Sequence, residues 1–413
     1  MPSITCLGAS REVGRSAFLL ETDKKLLLDY GVKIFDDSGE PKYPLDIPQV
    51  DAAIISHAHL DHSGFVPHLY RSSKVRWFAT PPTRDICEIL WQDSMKIMGE
   101  KIPYDITHFK KALKSWAPML YGQKLSVGKT DFTPLDAGHI CGAAMIDIHH
   151  EGKRILYTGD FKTTKTHMHS GAKPVEDVDI LILESTYAMK DHPDRRKLEE
   201  KFMDEVEETL GNGGNVLLPA FALGRSQELI SMIRSFNKDV KIFLDGMGRA
   251  MTDIYVKYGK YIQDPKRFRK TASSVWMISH PRHRSIATKE PSVIVTSAGM
   301  MQGGPVLGYL VNLLPESRII LSGYSVEGTN AWKLLNEGYV TMDDNDLEVE
   351  LPVQYMDFSA HIGRTQTLDF IRKANPEKIV LVHGDTPELF AEELKNDYGY
   401  DAVAPKIGDK IKW

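Results

Sequence analysis

Short aliphatic and β-branched runs, each bounded by Gly, Pro or Asp, recur along the first part of the chain: KLLLDYG at 25–31, DAAIISH at 51–57, KRILYTGD at 153–160 and DILILEST at 179–186. Runs of this length and composition predict buried strands. Between them, ICEILWQDSMKIMGE at 86–100 and RKLEEKFMDEVEETL at 196–210 repeat their apolar positions at helical spacing with charged residues opposite, which predicts amphipathic helices. From about residue 214 the pattern renews. GNVLLPAFALGRSQELI reads strand, turn, helix, and KIFLDG and PSVIVTS read as further strands with helical spacers between them. That alternation predicts a second domain built on a parallel sheet. After LEVELPVQYMDFSAH the chain reads helix at 365–374, strand at KIVLVHGD, helix at 387–396 and then a short polar tail.

Length and composition narrow the class. At about 100–200 residues per domain, 413 residues predict two or three domains. Hydrophobic residues at 42% and charged residues at 26% exclude a disordered, collagen-like or coiled-coil chain. Lys plus Arg is 51 against 56 Asp plus Glu, a formal net charge of −5, so any contact with a polyanion must rest on local basic charge. The three cysteines Cys6, Cys87 and Cys141 are too few and too scattered for a disulfide framework or a cysteine zinc cluster. The opening MPSITCLGASREVGRS has no basic start, apolar core and cleavage site in succession, and the uncharged stretch 291–315 is broken by Gly299, Gly303, Gly304, Pro305 and Gly308. A cytoplasmic protein with no membrane segment is expected.

The strongest chemical signal is Ser56-His57-Ala58-His59-Leu60-Asp61-His62, which follows a predicted strand. Imidazole nitrogen and carboxylate oxygen are zinc ligands, and four candidates stand within the six positions 57–62. The spacing suits neither one strand face nor one helix face, so a loop wrapped around more than one metal is expected. His139 in LDAGHICG, Asp160 in LYTGDF and His383 in VLVHGD lie at strand ends or in glycine-marked turns, where site residues of such folds concentrate. Singly each is weak, since Asp and His beside Gly are common in ordinary loops.

In this order and context the motifs resemble the metallo-β-lactamase superfamily: HAHLDH matches its His-x-His-x-Asp-His, and Asp29 in LLLDYG, His139 and Asp160 match its other core motifs. Glu184 in LILEST, His361 in DFSAHIG and His383 in LVHGD resemble the three signatures of the β-CASP branch, as do PAFALGRSQEL, SAGMMQGGPV and LSGYSVEGT. Within that branch the likeness is to the pre-mRNA 3′-end cleavage nucleases and their prokaryotic relatives. The resemblance implies an αββα sandwich with an inserted α/β domain holding a mainly parallel sheet, divided as 1–190, 191–355 and 356–413.

The resemblance further implies two zinc ions, with manganese as the alternative: His57, His59 and His139 on one, Asp61, His62 and His383 on the other, and Asp160 bridging. It implies His361 as general acid or phosphorane stabiliser with Glu184 as its partner, and Asp29 as a hydrogen-bonding support of the His-rich segment. Histidine at the third signature, His383, implies RNA rather than DNA. Cys141 is expected to pack. The segment PKRFRKTASSVWMISHPRHRS supplies candidate RNA contacts in Arg267, Arg269, Lys270, Arg282 and Arg284, with Trp276 between the clusters. The expected activity is hydrolysis of single-stranded RNA by an endonuclease acting in 3′-end processing or maturation. A 5′ to 3′ exonuclease and a weakly active scaffold subunit are the alternatives, and other RNA-processing subunits or a second copy are the expected protein partners.

Overall fold

The computed structural model describes residues 2–34, 40–47 and 49–413, and the chain divides into two compact units. The first comprises Met1–Lys165, Ser170–Asp191 and His361–Trp413; the second comprises Thr166–His169 and His192–Ala360. The expected insertion, 191–355, is shorter than this second unit because the chain carries on past the last strand of the inserted sheet, Val353–Tyr355, before leaving at Ala360.

The first unit is two seven-stranded sheets face to face. In spatial order one runs Lys410–Lys412, Ser3–Cys6, Phe18–Glu21, Lys25–Leu28, Ala52–Ile54, Arg76–Ala79 and Trp116–Pro118. The other runs Ala402–Val403, Lys378–Val382, Ile180–Glu184, Lys153–Tyr157, Ala144–His150, Thr130–Asp136 and Leu125–Val127. Strand alternation sends Phe18, Leu26, Leu28 and Ile54 of the one and Phe132, Ile146, Ile155 and Val380 of the other into a shared core. Each such side chain contributes about 1.5–3 kcal/mol on burial. The pleat shows within one strand: Phe78 meets Phe132 of the opposite sheet with ring centroids 5.3 Å apart, while its neighbour Trp77 turns outward to Trp91 of the helix Pro81–Met98, also at 5.3 Å.

The helix expected at 86–100 starts at Pro81 instead. Pro81 and Pro82 occupy its first turn, where a missing N–H costs nothing, and the Thr80 side chain accepts from Thr83 N. The helix expected at 196–210 spans Arg195–Gly211. The C-terminal stretch read as a polar tail is two edge strands. Ala402–Val403 extends one sheet beside Lys378–Val382, and Lys410–Lys412 extends the other beside Ser3–Cys6, with Ile411 opposite Ile4.

The second unit holds a six-stranded sheet in the order Trp276–Met277, Ile242–Asp245, Val293–Thr296, Val216–Pro219, Arg318–Leu321 and Val353–Tyr355, with every pairing parallel. Its inner strands VLLP, IFLD and VIVT are buried at every position, as expected of strands covered on both faces. Thr166–His169 is fastened to this unit by Glu228, whose two oxygens accept from His167 N (2.9 Å) and Met168 N (3.1 Å). Arg195 bridges Glu228 and Glu199, and His167 Nε2 lies 3.1 Å from Glu199, so the acids of this group already carry an internal cation. Among the described residues no helix is long and apolar enough to cross a membrane.

Candidate active site

Strand Ala52–Ile54 leads into His57 and His59 in non-helical backbone, and Leu60–Ser63 then forms a single helical turn carrying Asp61 and His62. The segment expected as a loop is therefore half loop and half helical turn. Neighbouring strand ends hold that turn in place: Ser16 N donates to Asp61 O (2.7 Å) and Tyr30 N to His62 O (2.8 Å). Gly31 packs so closely beneath it that a Cβ there would lie 1.8 Å from Asp61 O, so only glycine fits.

Asp29 fixes the ligand-bearing segment from below. Fully buried and at φ +57°, it accepts from Ser56 N (2.6 Å), Ser56 Oγ (2.6 Å) and Tyr157 OH (2.6 Å) and pairs with His62 Nδ1 at 2.7 Å. With Nδ1 committed, His62 presents Nε2 to the site. His383, also at positive φ (51°), meets Ser16 Oγ through Nδ1 at 3.0 Å and turns its Nε2 inward. Ser16 and Tyr157 were absent from the sequence expectations and Ser56 had no role there, since nothing distinguishes a serine or tyrosine at a strand end until the fold supplies its partner.

Two overlapping donor groups result: His57, His59, His139 and Asp160, and Asp61, His62, Asp160 and His383, with the ligating atoms of each within 4.8 Å of one another. His59 Nδ1 stands 3.1 Å from both His57 Nε2 and His139 Nε2. Ligands of a tetrahedral zinc at about 2.0–2.1 Å stand about 3.3 Å apart, so this spacing fits. Burial, then the neighbouring His62, pushes His57 well below the ordinary histidine value, and burial brings His59 down to about 4, so both keep neutral lone pairs. Burial alone would lower His62 too, but Asp160, Asp61 and Asp29 outweigh it and hold it well above. That second group carries surplus negative charge that calls for a cation.

The decisive sign is what these buried atoms lack. Asp160 Oδ1 and His383 Nε2 are sealed from solvent and form no hydrogen bond; their polar neighbours are one another at 3.7 Å, His62 Nε2 at 3.2 Å from the oxygen and Asp61 at 3.6 Å from the nitrogen, so lone pairs of four donors point at one another as around a shared cation. The donor set therefore fits divalent metal.

His361 borders the first group, its ring 4.8 Å from that of His139. Its Nδ1 is 3.0 Å from both Glu184 oxygens, Glu184 also accepts from Phe161 N (3.0 Å), and Lys162 Nζ donates to His361 O (2.9 Å). Burial works against the charged imidazole, but Glu184 and Asp160 hold its pKa up at about 9. Cys141 is fully buried and burial pushes its thiol up, which leaves it as packing.

The candidate RNA contacts lie in the second unit. Arg267, Arg269 and Lys270 are exposed on the helix Pro265–Ser273, and Arg282 is exposed in the turn that follows strand Trp276–Met277. The Arg284 side chain is 34% exposed, and its Nε sits 2.6 Å from the buried Asp245, which also accepts from Tyr309 OH at 3.0 Å, so its charge is engaged in an ion pair.

Comparison with known proteins supports the same architecture. Residues 19–183 match the metallo-beta-lactamase superfamily domain, residues 226–334 the Beta-Casp domain, and residues 346–405 the Zn-dependent metallo-hydrolase RNA specificity domain. The probable RNase MJ4 of Methanocaldococcus jannaschii is 36% identical over 98% of both chains. RNase aCSPSF2 of Saccharolobus solfataricus is 35% identical over 98% of this chain and 84% of that one. Cleavage and polyadenylation specificity factor subunit 3 of Dictyostelium discoideum is 33% identical over 94% of this chain and 54% of that one. A crystal structure of a protein of unknown function from Enterococcus faecalis V583 superposes with a TM-score of 0.65 at 14% identity, covering 99% of both chains, which is a likeness of fold. With the His-x-His-x-Asp-His turn, the two donor groups and these matches in hand, the chain belongs to the metallo-β-lactamase superfamily and, within it, to the β-CASP branch.

Proposed function

We propose that this chain is a metal-dependent ribonuclease that hydrolyses phosphodiester bonds within single-stranded RNA, cutting internally, in RNA 3′-end processing or maturation. The observation that carries the reading is the pair of donor groups sharing Asp160, with His361 and Glu184 at its border. Relatives named as RNases over nearly the whole chain, and an RNA specificity domain whose matched residues include His361 and His383, support RNA as the substrate.

In this reading His57, His59 and His139 hold one zinc ion, Asp61, His62 and His383 hold a second, and Asp160 serves both; manganese is the alternative metal. Ions so held supply Lewis-acid stabilisation of phosphoryl charge and a water nucleophile of lowered pKa. The Glu184 carboxylate, with both oxygens 3.0 Å from His361 Nδ1, favours the charged imidazole. Glu184 occupies its Nδ1–H, which leaves Nε2–H to protonate the departing oxygen or to hydrogen-bond a phosphoryl oxygen. Lys162 holds the His361 backbone and thereby the height of the ring. Arg267, Arg269, Lys270 and Arg282 are the basic side chains that reach phosphates in this reading. Further RNA-processing subunits or a second copy of the chain are the partners to seek by sedimentation with and without RNA.

The test is metal content together with cleavage of a circular single-stranded RNA by the wild type, His62→Ala and His361→Ala. About two zincs per chain, and nicking of the circle that both substitutions abolish, supports the proposal. Intact circles beside degraded linear 5′-monophosphorylated RNA would replace internal cutting with exonucleolytic decay. Loss of neither substrate despite bound metal would leave a scaffold subunit.

A further inference from the structure

We infer that the second unit carries a base-stacking platform for single-stranded RNA, made by Phe221, Tyr324 and Tyr355 at the carboxyl ends of three consecutive parallel strands. This inference rests on the ribonuclease reading above.

Strands Val216–Pro219, Arg318–Leu321 and Val353–Tyr355 are immediate neighbours in the sheet. Phe221 follows the first by two residues, Tyr324 follows the second by three, and Tyr355 ends the third, opposite Leu321. The three residues therefore lie at one end of the sheet, on or just past strands about 4.8 Å apart. That edge, beyond the carboxyl ends of a parallel sheet, is where open α/β sheets bind ligands.

All three side chains remain partly open to solvent. Phe221 is 37%, Tyr324 60% and Tyr355 38% exposed, whereas the strands beneath are buried. The backbone is cut back to seat Phe221: a Cβ on Gly323 would come within 3.1 Å of its ring, and one on Gly299 within 3.3 Å. Ser226 Oγ donates to Phe221 O at 2.9 Å and fixes the turn from which the ring projects. Arg225 is tied to Ser322 O beside Tyr324, a cation next to the aromatic surface. The acid closest to Tyr355, Asp357, is occupied by His192 at 3.4 Å and by Ser359 N at 3.0 Å.

Aromatic faces held rigidly at a sheet edge beside a cation are the recognition chemistry of unpaired bases, because every base offers a π-face whatever the sequence. A duplex keeps its bases inside and gains little from such a surface. The platform thus selects single strands and is tolerant of sequence.

The test compares wild type with Tyr324→Ala, Tyr355→Ala and Tyr324→Phe, all holding metal, on a short single-stranded oligoribonucleotide and on bis(p-nitrophenyl) phosphate, which has no base to stack. The expected result is a KM for RNA raised about 5- to 100-fold by each alanine substitution. Tyr324→Phe restores it, and turnover of the small diester is unchanged. In the His361→Ala background the alanine variants bind RNA more weakly with the same slope against salt, since no phosphate contact is lost. An RNA KM within twofold of wild type overturns the platform and leaves the ribonuclease reading standing. A parallel loss on both substrates assigns the rings to the fold and overturns it as well. A wild type that turns over the small diester but neither binds nor cuts RNA removes both.

Discussion

His361 and Glu184, 177 residues apart in sequence, meet with the imidazole Nδ1 at 3.0 Å from both carboxylate oxygens. Glu184 is the last residue of a fully buried strand, and its side chain is almost wholly sealed. A carboxylate in that position sets the ring orientation, keeps the proton of the pair on Nδ1 and favours the charged imidazole.

Glu184→Gln keeps an oxygen for Nδ1 and Phe161 N but removes the charge. The expected outcome is a kcat for RNA about 10–100-fold lower with little change in KM. Metal content by atomic emission stays that of the wild type, because Glu184 lies outside the two donor groups proposed to hold metal. A variant with unchanged kcat would reduce Glu184 to a structural acid.

Asp29 gathers Ser56, His62 and Tyr157 through one carboxylate at a backbone φ of +57°, a conformation asparagine also adopts. Asp29→Asn therefore separates charge from backbone geometry. Its amide nitrogen faces donors in place of an acceptor, so a metal affinity about 10–100-fold weaker is expected, measured by competition with a chelator of known strength. Asp29→Ala additionally leaves those groups unpaired in the core and lowers stability by about 3 kcal/mol or more in denaturant unfolding.

The legibility of this molecule was uneven for physical reasons. HAHLDH was readable because four donors crowd into six positions, and the strands KLLL, ILILE and KIVLV were readable because both their faces are buried. Asp29 and His383 carry their positive φ with no mark in the sequence, since aspartate and histidine also occupy ordinary turns. Lys410–Lys412 looked like a tail because an edge strand with two exposed lysines has only Ile411 to declare it. Arg284 looked like its exposed neighbours, because a buried acid 39 residues earlier is invisible until the sheet places Asp245 beside it.

Removing metal should destabilise the first unit. Asp160 Oδ1 and His383 Nε2 form no hydrogen bond, and Asp160 and Asp61 crowd His62. Chelation is expected to lower Tm, and zinc to restore it with a concentration dependence set by its affinity. In His383→Ala the buried donor is gone, so the Tm difference between chelated and zinc-treated protein shrinks. Equal melting of chelated and zinc-treated wild type would contradict this account of the orphaned atoms.

In the second unit, Glu199 joins His167 and Arg195 and stands 14% exposed. Burial works to raise its pKa, but the hydrogen bonds from His167 and Arg195 outweigh burial and hold it below the ordinary glutamate value. A depressed carboxylate pKa gives stability that is fully present above the unfolded value of about 4.3 and is lost as pH falls through the folded value. Glu199→Gln should thus cost about 1.5–3 kcal/mol at pH 7, the range of a hydrogen bond to a charged group. Denaturant unfolding of wild type and variant at a series of pH values checks it: the two curves should run parallel from pH 8 to 5 and converge below pH 4. A gap that stays constant down to pH 3 would mean that the carboxylate contributes through shape rather than charge.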